Sequence, residues 1–204
     1  MDLHKYENEL YENGIKFIGG VDEVGRGPLI GPVISACVVL PKGYNLDGLT
    51  DSKKLTEKKR NLYFDIIMEN ALGVGVGIVN PERIDEINIY EASKESMIIS
   101  INECMDKCKI DHLLIDAMKL ETSIPSTSII KGDSKSISIA AASVIAKVIR
   151  DRLMCELDLK YPEYGFKKHK GYPTKGHLEA LNKNGLIEGY RKSYKPVMNI
   201  LNKI

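Results

Sequence analysis

Asp22 and Glu23 set two carboxylates side by side at the end of an apolar run, and Gly25-Arg26-Gly27-Pro28 follows at once, an arginine bracketed by glycines. Hard anionic oxygens are the donors that Mg²⁺ and Mn²⁺ prefer. Glycines let main-chain N–H groups come close to a phosphate or a sugar. Metal ligands beside a cradle for a nucleotide backbone point to phosphodiester chemistry. An Asp-Glu pair by itself is more often a solvated surface pair, since acids sit mostly at surfaces, so the chemistry needs partners elsewhere. Two further acids follow β-like runs: Asp116 after His112-Leu113-Leu114-Ile115, and Asp133 after Ser126 to Ile130 and the link Lys131-Gly132. Functional groups of open α/β sheets collect at strand ends. Four carboxylates converging there repel one another unless divalent cations neutralise them. Two such ions, clamping the attacking and leaving oxygens, are a standard arrangement for cutting a phosphodiester.

The elements that must position these acids follow from the pattern of the chain. Leu3, Tyr6, Leu10 and Tyr11 recur at helical spacing, so a short helix is expected over residues 3–13. Lys16 to Val21 reads as a strand running into the acid pair, and Val33 to Leu40 as a buried strand stopped by Pro41. The short loop between them suits an antiparallel pair. Thr56 is placed to cap a helix through Asn70, with Leu55, Leu62, Ile66 and Ile67 on its buried stripe. Ala71 to Val79 alternates apolar residues with Gly73, Gly75 and Gly77, a strand with one face stripped so that another element packs close. These glycines do not form a dinucleotide fingerprint, because Gly-x-Gly-x-x-Gly is absent and no helix opens directly after them. Pro81 starts a helical stretch, a second runs from Tyr90 to Lys107, and short strands span 111–117 and 126–130. The longest helix is expected from Ser136 to Leu159, closed by Pro162, with further helices from Thr174 to Asn184 and from Pro196 onward. The expected fold is α/β: a central mixed sheet, antiparallel at the start and parallel later, flanked by helices, with a small helical C-terminal region.

Composition bounds the rest. The 204 residues, 43% hydrophobic and 28% charged, fit a single domain over 1–204 with a sizeable core. No apolar run is long enough to span a bilayer, and no signal-peptide pattern opens the chain, so a cytoplasmic protein without a membrane partner is expected. Cys37, Cys104, Cys108 and Cys155 show no Cys-x-x-Cys spacing and read as reduced, partly buried thiols. The net charge is +1, but Tyr164 to Lys195 carries eight Lys/Arg against Glu179 and Glu188. Residues 161–204 are therefore expected to form a basic helical region that contacts nucleic acid.

Five stretches together resemble ribonuclease HII: Gly20-Val21-Asp22-Glu23-Val24-Gly25-Arg26-Gly27-Pro28; Asp51-Ser52-Lys53-Lys54-Leu55; Lys131-Gly132-Asp133-x-Lys135-Ser136; Ala141-Ala142-Ser143-x-x-Ala146-Lys147-x-x-Arg150-Asp151; and His169-Lys170-Gly171-Tyr172-Pro173-Thr174. The resemblance runs over about residues 16 to 197, with the motifs in the family's order. It implies a ribonuclease H-like fold and an endonuclease that cuts the RNA strand of RNA–DNA hybrids. It also implies cutting 5′ of ribonucleotides embedded in duplex DNA, leaving 5′-phosphate and 3′-hydroxyl ends. The acid tetrad would be Asp22, Glu23, Asp116 and Asp133, holding two Mn²⁺ or Mg²⁺ ions. Gly25, Arg26 and Gly27 would contact the backbone around a ribonucleotide's 2′-hydroxyl, the group that separates RNA from DNA. Tyr172 would stack on the following sugar, and Lys53 and Lys135 would hold phosphates. The implied setting is DNA replication and repair; no protein partner can be named, and a monomer is expected. Where the family carries Asp-Gly, this chain has Asp116-Ala117, so a glycine-only backbone angle at 117 is not expected.

Two rival functions remain open at this point. A different two-metal phosphoryl enzyme, such as a DNA-specific nuclease, would need neither Tyr172 nor a 2′-hydroxyl. A duplex-binding module would lose no activity on Asp22→Asn. His169 and His177 read either as proton carriers or as basic surface residues, and Lys147 and Arg150 either reach phosphates or pair with acids such as Asp151.

Overall fold

The computed structural model describes residues 3–202. Five strands, β1 (Ile18–Val24), β2 (Val33–Val39), β3 (Gly73–Val79), β4 (His112–Asp116) and β5 (Ser126–Ile129), form one sheet in the order β3-β2-β1-β4-β5. The β1–β2 and β2–β3 pairs are antiparallel, and β1–β4 and β4–β5 are parallel. This is the mixed sheet expected from the sequence. The helices are α1 (Lys5–Glu12), α2 (Glu57–Asn70), α3 (Pro81–Met105), α4 (Ile137–Lys160), α5 (Phe166–His169), α6 (Lys175–Asn184) and α7 (Lys195–Leu201). Thr56 caps α2 through Lys59 N–H at 3.3 Å, and Thr174 caps α6 through His177 N–H at 3.3 Å. Asn88, at φ 68°, breaks α3 into the two helical stretches that the sequence suggests, and its side chain caps the second through Tyr90 N–H at 2.9 Å.

Strand alternation sends successive side chains to opposite faces. Ile34, Ala36 and Val38 of β2 pack under α2 and α4, whereas Val21, Cys37 and Val39 pack against Met97, Ile101 and Cys104 of α3. The glycines of β3 let α3 lie against bare strand: a Cβ at Gly75 or Gly77 would run into the Ser100 or Ser96 carbonyl oxygen. One expectation fails on α2. Leu62 is 55% exposed, and Tyr63 and Ile67 are the residues that the helix buries. The stripe is turned by one position, because Tyr63 reaches back to donate a 2.6 Å hydrogen bond to the Asp47 carbonyl.

β1 also runs further than the sequence suggests. Asp22 and Glu23 lie inside its ladder with β2, opposite Ala36 and Ser35. On the β4 side the pairing stops at Val21↔Ile115. The acid pair is therefore rigidly held on one side and open on the other.

Candidate active site

The last parallel pair fixes the site. One residue beyond Val21↔Ile115 come Asp22 on β1 and Asp116 on β4, which the pleat turns to the same face, toward α4. β5 runs beside β4, with Ile129 opposite Asp116, and leads into the short 3₁₀ turn Gly132–Ser134 that carries Asp133. The main chain of that turn is tied back to the sheet: Gly132 N–H donates to Asp116 Oδ1 at 2.6 Å. Three strands thus deliver their acids to one place.

The acids feel one another strongly. Burial, then the charges of Glu23 and Asp116, push the Asp22 carboxyl far above its usual range, against a hydrogen bond from Ser143 that favours the charged form. Burial raises Glu23 to about 7, opposed first by the Arg26 guanidinium, whose Nη1 lies 3.6 Å from Glu23 Oε1. Asp116 and Asp133 are also raised, in each case mainly by burial. A fifth acid joins them that the sequence reading did not single out. Asp51 accepts Lys53 N–H at 2.9 Å, and its charge helps raise Asp133. Lys53 offsets part of this negative charge, lowering Asp116 and Asp133. Lys135 stands apart: among the described residues its ammonium makes no hydrogen bond or ion pair with these acids.

Glu23 supplies a direct test of whether a cation suits this cluster. Its Oε2 is buried and has no hydrogen-bond partner, a costly state for a carboxylate oxygen. A donor set made only of carboxylate oxygens, one of them orphaned, fits a hard divalent cation. Among the described residues no three acidic, histidine or cysteine side chains already close on a single point, so the cluster is open rather than a finished cage.

The raised acids carry a pH signature. A group held above its unfolded value binds its proton more tightly in the folded state, so its contribution is present at low pH and lost as pH rises through the folded value. For Glu23 that window runs from 4.5 to about 7. Without divalent ions, wild-type stability should fall across it by roughly 2 kcal/mol more than that of Glu23→Gln. Chemical denaturation of both proteins at pH 4.5 and pH 8 reads the difference; parallel changes would show that Glu23 is not strained.

Past Asp116 the chain corrects one expectation. Ala117 adopts φ 50°, the left-handed region that a glycine occupies without strain. The angle is needed because Ala117 N–H still reaches the Ile129 carbonyl at 3.0 Å while Met118 N–H folds back to the Asp116 carbonyl at 2.6 Å. Ala117→Gly should stabilise the protein by about 0.5–1 kcal/mol, measurable as a higher denaturation midpoint with unchanged slope.

The glycine loop lies on the other side of the acid pair. Gly25 has φ 97°, and a Cβ there would meet Arg150 Nε at 2.5 Å. Gly27 faces Tyr172: a Cβ on it would lie 3.2 Å from the ring. A cavity of about 400 Å³ beside Asp22 and Glu23 has Lys53, Arg60, Lys147 and Tyr172 in its wall. The structure therefore brings together Asp22, Glu23, Asp116, Asp133 and Lys53, with the Gly25–Gly27 loop and Tyr172 adjoining.

The supports of this loop were largely hidden in the sequence. Arg191, fully buried, donates through Nε and Nη2 to the Gly31 carbonyl at 2.9 and 2.8 Å, through Nη2 to Gly25 at 2.6 Å and through Nη1 to Arg26 at 3.1 Å. Arg150, also fully buried, donates to the carbonyls of Ile30 at 3.3 Å and Lys170 at 3.0 Å, so it cannot reach a phosphate. Lys147 pairs with Asp151 at 2.7 Å. His177 is neither exposed nor basic: burial lowers it to about 4, and its ring bridges the Tyr172 carbonyl at 2.9 Å and the Tyr190 hydroxyl at 2.8 Å. His169 stacks on it, centroids 4.3 Å apart. Tyr164, Phe166 and Tyr190 belong to a separate apolar cluster that anchors the C-terminal helices.

The ribonuclease HII family model matches residues 19–197. A ribonuclease HII of Bacillus mycoides is 56% identical over 203 residues, covering 100% of this chain and 78% of the relative. Among solved structures, ribonuclease H2 of Pyrococcus horikoshii superposes with TM-score 0.78 at 27% identity, over 92% of this chain and 98% of that one. Ribonuclease HII of Archaeoglobus fulgidus, solved in complex with PCNA, gives TM-score 0.73 at 27% identity over 92% and 100% of the two chains. The fold is that of the ribonuclease H-like enzymes, and the chain belongs to the ribonuclease HII family.

Proposed function

We propose that this chain is a metal-dependent endonuclease that cuts the RNA strand of RNA–DNA hybrids and cuts 5′ of a ribonucleotide embedded in duplex DNA, leaving 5′-phosphate and 3′-hydroxyl ends. The observation that carries the reading is the cluster of mutually repelling carboxylates, Asp22 and Asp133 buried and Glu23 and Asp116 half-buried, next to a tyrosine packed on the glycine loop. Asp22, Glu23, Asp116 and Asp133 would hold two divalent cations, Mn²⁺ or Mg²⁺. Such ions supply the positive charge that activates water and stabilises the leaving oxygen of a phosphodiester.

The chain's own residues do the rest. Gly25, Arg26 and Gly27 present main chain to the ribonucleotide, and Tyr172, held from behind by His177, covers its sugar and excludes water from the 2′-hydroxyl. Lys53 balances the acids and faces a phosphate; Lys135, with its free ammonium, takes a neighbouring one. The basic residues of 161–202 that remain exposed run along the duplex and add salt-sensitive affinity. The chain would act as a monomer in the cytoplasm, in the removal of ribonucleotides during DNA replication and repair. Among the described residues no helix is long and apolar enough to cross a membrane, and all four cysteines are free thiols.

A labelled RNA–DNA hybrid, incubated with Mn²⁺, Mg²⁺ or EDTA, tests this reading. Expected are metal-dependent cuts in the RNA strand whose downstream fragments carry a ligatable 5′-phosphate. Cutting in EDTA, or fragments with a 3′-phosphate, would reject it.

A further inference from the structure

Glu7, on α1, is a buried carboxylate outside the acid cluster, at 2% exposure. Its Oε1 accepts the Ser136 hydroxyl at 2.5 Å and Ser138 N–H at 3.1 Å. Ser136 Oγ in turn accepts Ile139 N–H at 3.2 Å, and Ile137 N–H donates to the Leu3 carbonyl at 2.8 Å. The first three N–H groups of α4, which no intrahelical partner can satisfy, are therefore satisfied by Leu3 just ahead of α1, by Glu7 and by the serine that Glu7 holds. Glu7 also sets a negative charge at the positive end of α4.

The same serine leads to the acids. Ser136 N–H donates to the Gly132 carbonyl at 2.9 Å, and Gly132 N–H donates to Asp116 Oδ1 at 2.6 Å. Glu7, Ser136, Gly132 and Asp116 thus form one continuous relay, and Asp133 sits within the turn that the relay clamps. Glu7 Oε2 is buried without a partner, and the hydrogen bonds of this carboxylate all run through Oε1. We infer that Glu7 is a positioning residue: α1 fixes the Asp116–Asp133 half of the acid cluster through Ser136 and thereby sets its affinity for divalent cations. The inference rests on the metal-dependent reading given above.

Mn²⁺ binding, followed by the electron paramagnetic resonance of free Mn²⁺ in wild type, Glu7→Ala, Glu7→Gln, Ser136→Ala and the distant core variant Ile101→Ala, tests this without relying on turnover. Hybrid cleavage is measured alongside. Glu7→Ala and Ser136→Ala should each weaken Mn²⁺ binding by roughly tenfold and lower kcat with KM for the hybrid unchanged. Glu7→Gln keeps an acceptor oxygen and should stay within about twofold of wild type. Ile101→Ala, in the α3 core on the opposite face of the sheet, should lose stability and bind Mn²⁺ normally. Wild-type binding in Glu7→Ala, or in Ser136→Ala if Glu7→Ala does not fold, overturns the inference and leaves the nuclease reading standing. An equal loss in Ile101→Ala also overturns it, as a general effect of instability. A wild type that neither binds Mn²⁺ nor cuts the hybrid overturns both.

Discussion

Asp22→Asn will abolish cleavage while making the metal-free protein more stable. Asp22 is buried between Glu23 and Asp116, and its charge is opposed by burial and by both neighbours. A neutral amide of the same size removes that repulsion, and the Ser143 hydroxyl can still bond the remaining carbonyl oxygen. A gain of about 1–2 kcal/mol at pH 8 is expected. The same change takes away a charged oxygen donor in the middle of the cluster. Cations at such a centre supply several kcal/mol of transition-state stabilisation, so kcat should drop by roughly 10³-fold or more. Denaturation and single-turnover cleavage of the two proteins check both halves. A variant that is less stable and still active would mean that Asp22 is an ordinary structural acid.

Arg191→Ala is expected to act in the opposite sense, losing stability and activity together. The guanidinium is fully buried, and its donors reach the Gly25, Arg26 and Gly31 carbonyls and the Tyr194 hydroxyl. Burial lowers its pKa, with the neighbouring Tyr194 the first group opposing the shift. Truncation strands several carbonyls in a dry interior, at about 1–3 kcal/mol each, so a total loss of roughly 3–5 kcal/mol is expected. Arg191→Lys should recover little, because an ammonium cannot reproduce the planar fork that spans these acceptors. Denaturant titration reads the stability, and kcat/KM on a hybrid reads the loop. An Arg191→Ala protein within 1 kcal/mol of wild type would show that the glycine loop holds itself.

Much of the fold was legible because short-range signals and tertiary needs agree. Thr56 and Thr174 cap the helices they precede. The alternating glycines of β3 announce the close approach of α3. Acids at the ends of three apolar runs announce a shared site, because parallel strands in register bring their ends together. What was not legible depends on contacts distant in sequence. Arg191 counts as a basic residue of the C-terminal region until the structure buries it under the Gly25–Gly31 carbonyls. His177 reads as a surface or proton-carrying residue until Tyr172 and Tyr190 close on its two nitrogens. Asp51 lies in a loop whose meeting with Asp133 no local pattern marks. Ala117 shows the converse limit: residue type argued against a left-handed angle, and the pairing of its N–H with Ile129 imposed one.

The acid cluster and the Gly27–Tyr172 pair are expected to act together on a ribonucleotide. A DNA duplex carrying a single ribonucleotide, set beside the same duplex in DNA alone and incubated in Mn²⁺ or Mg²⁺, tests it most directly. Expected is a cut immediately 5′ of the ribonucleotide, lost in Asp22→Asn, with the all-DNA duplex intact. Cutting of both duplexes at similar rates would contradict it, leaving a two-metal nuclease that does not read the 2′-hydroxyl.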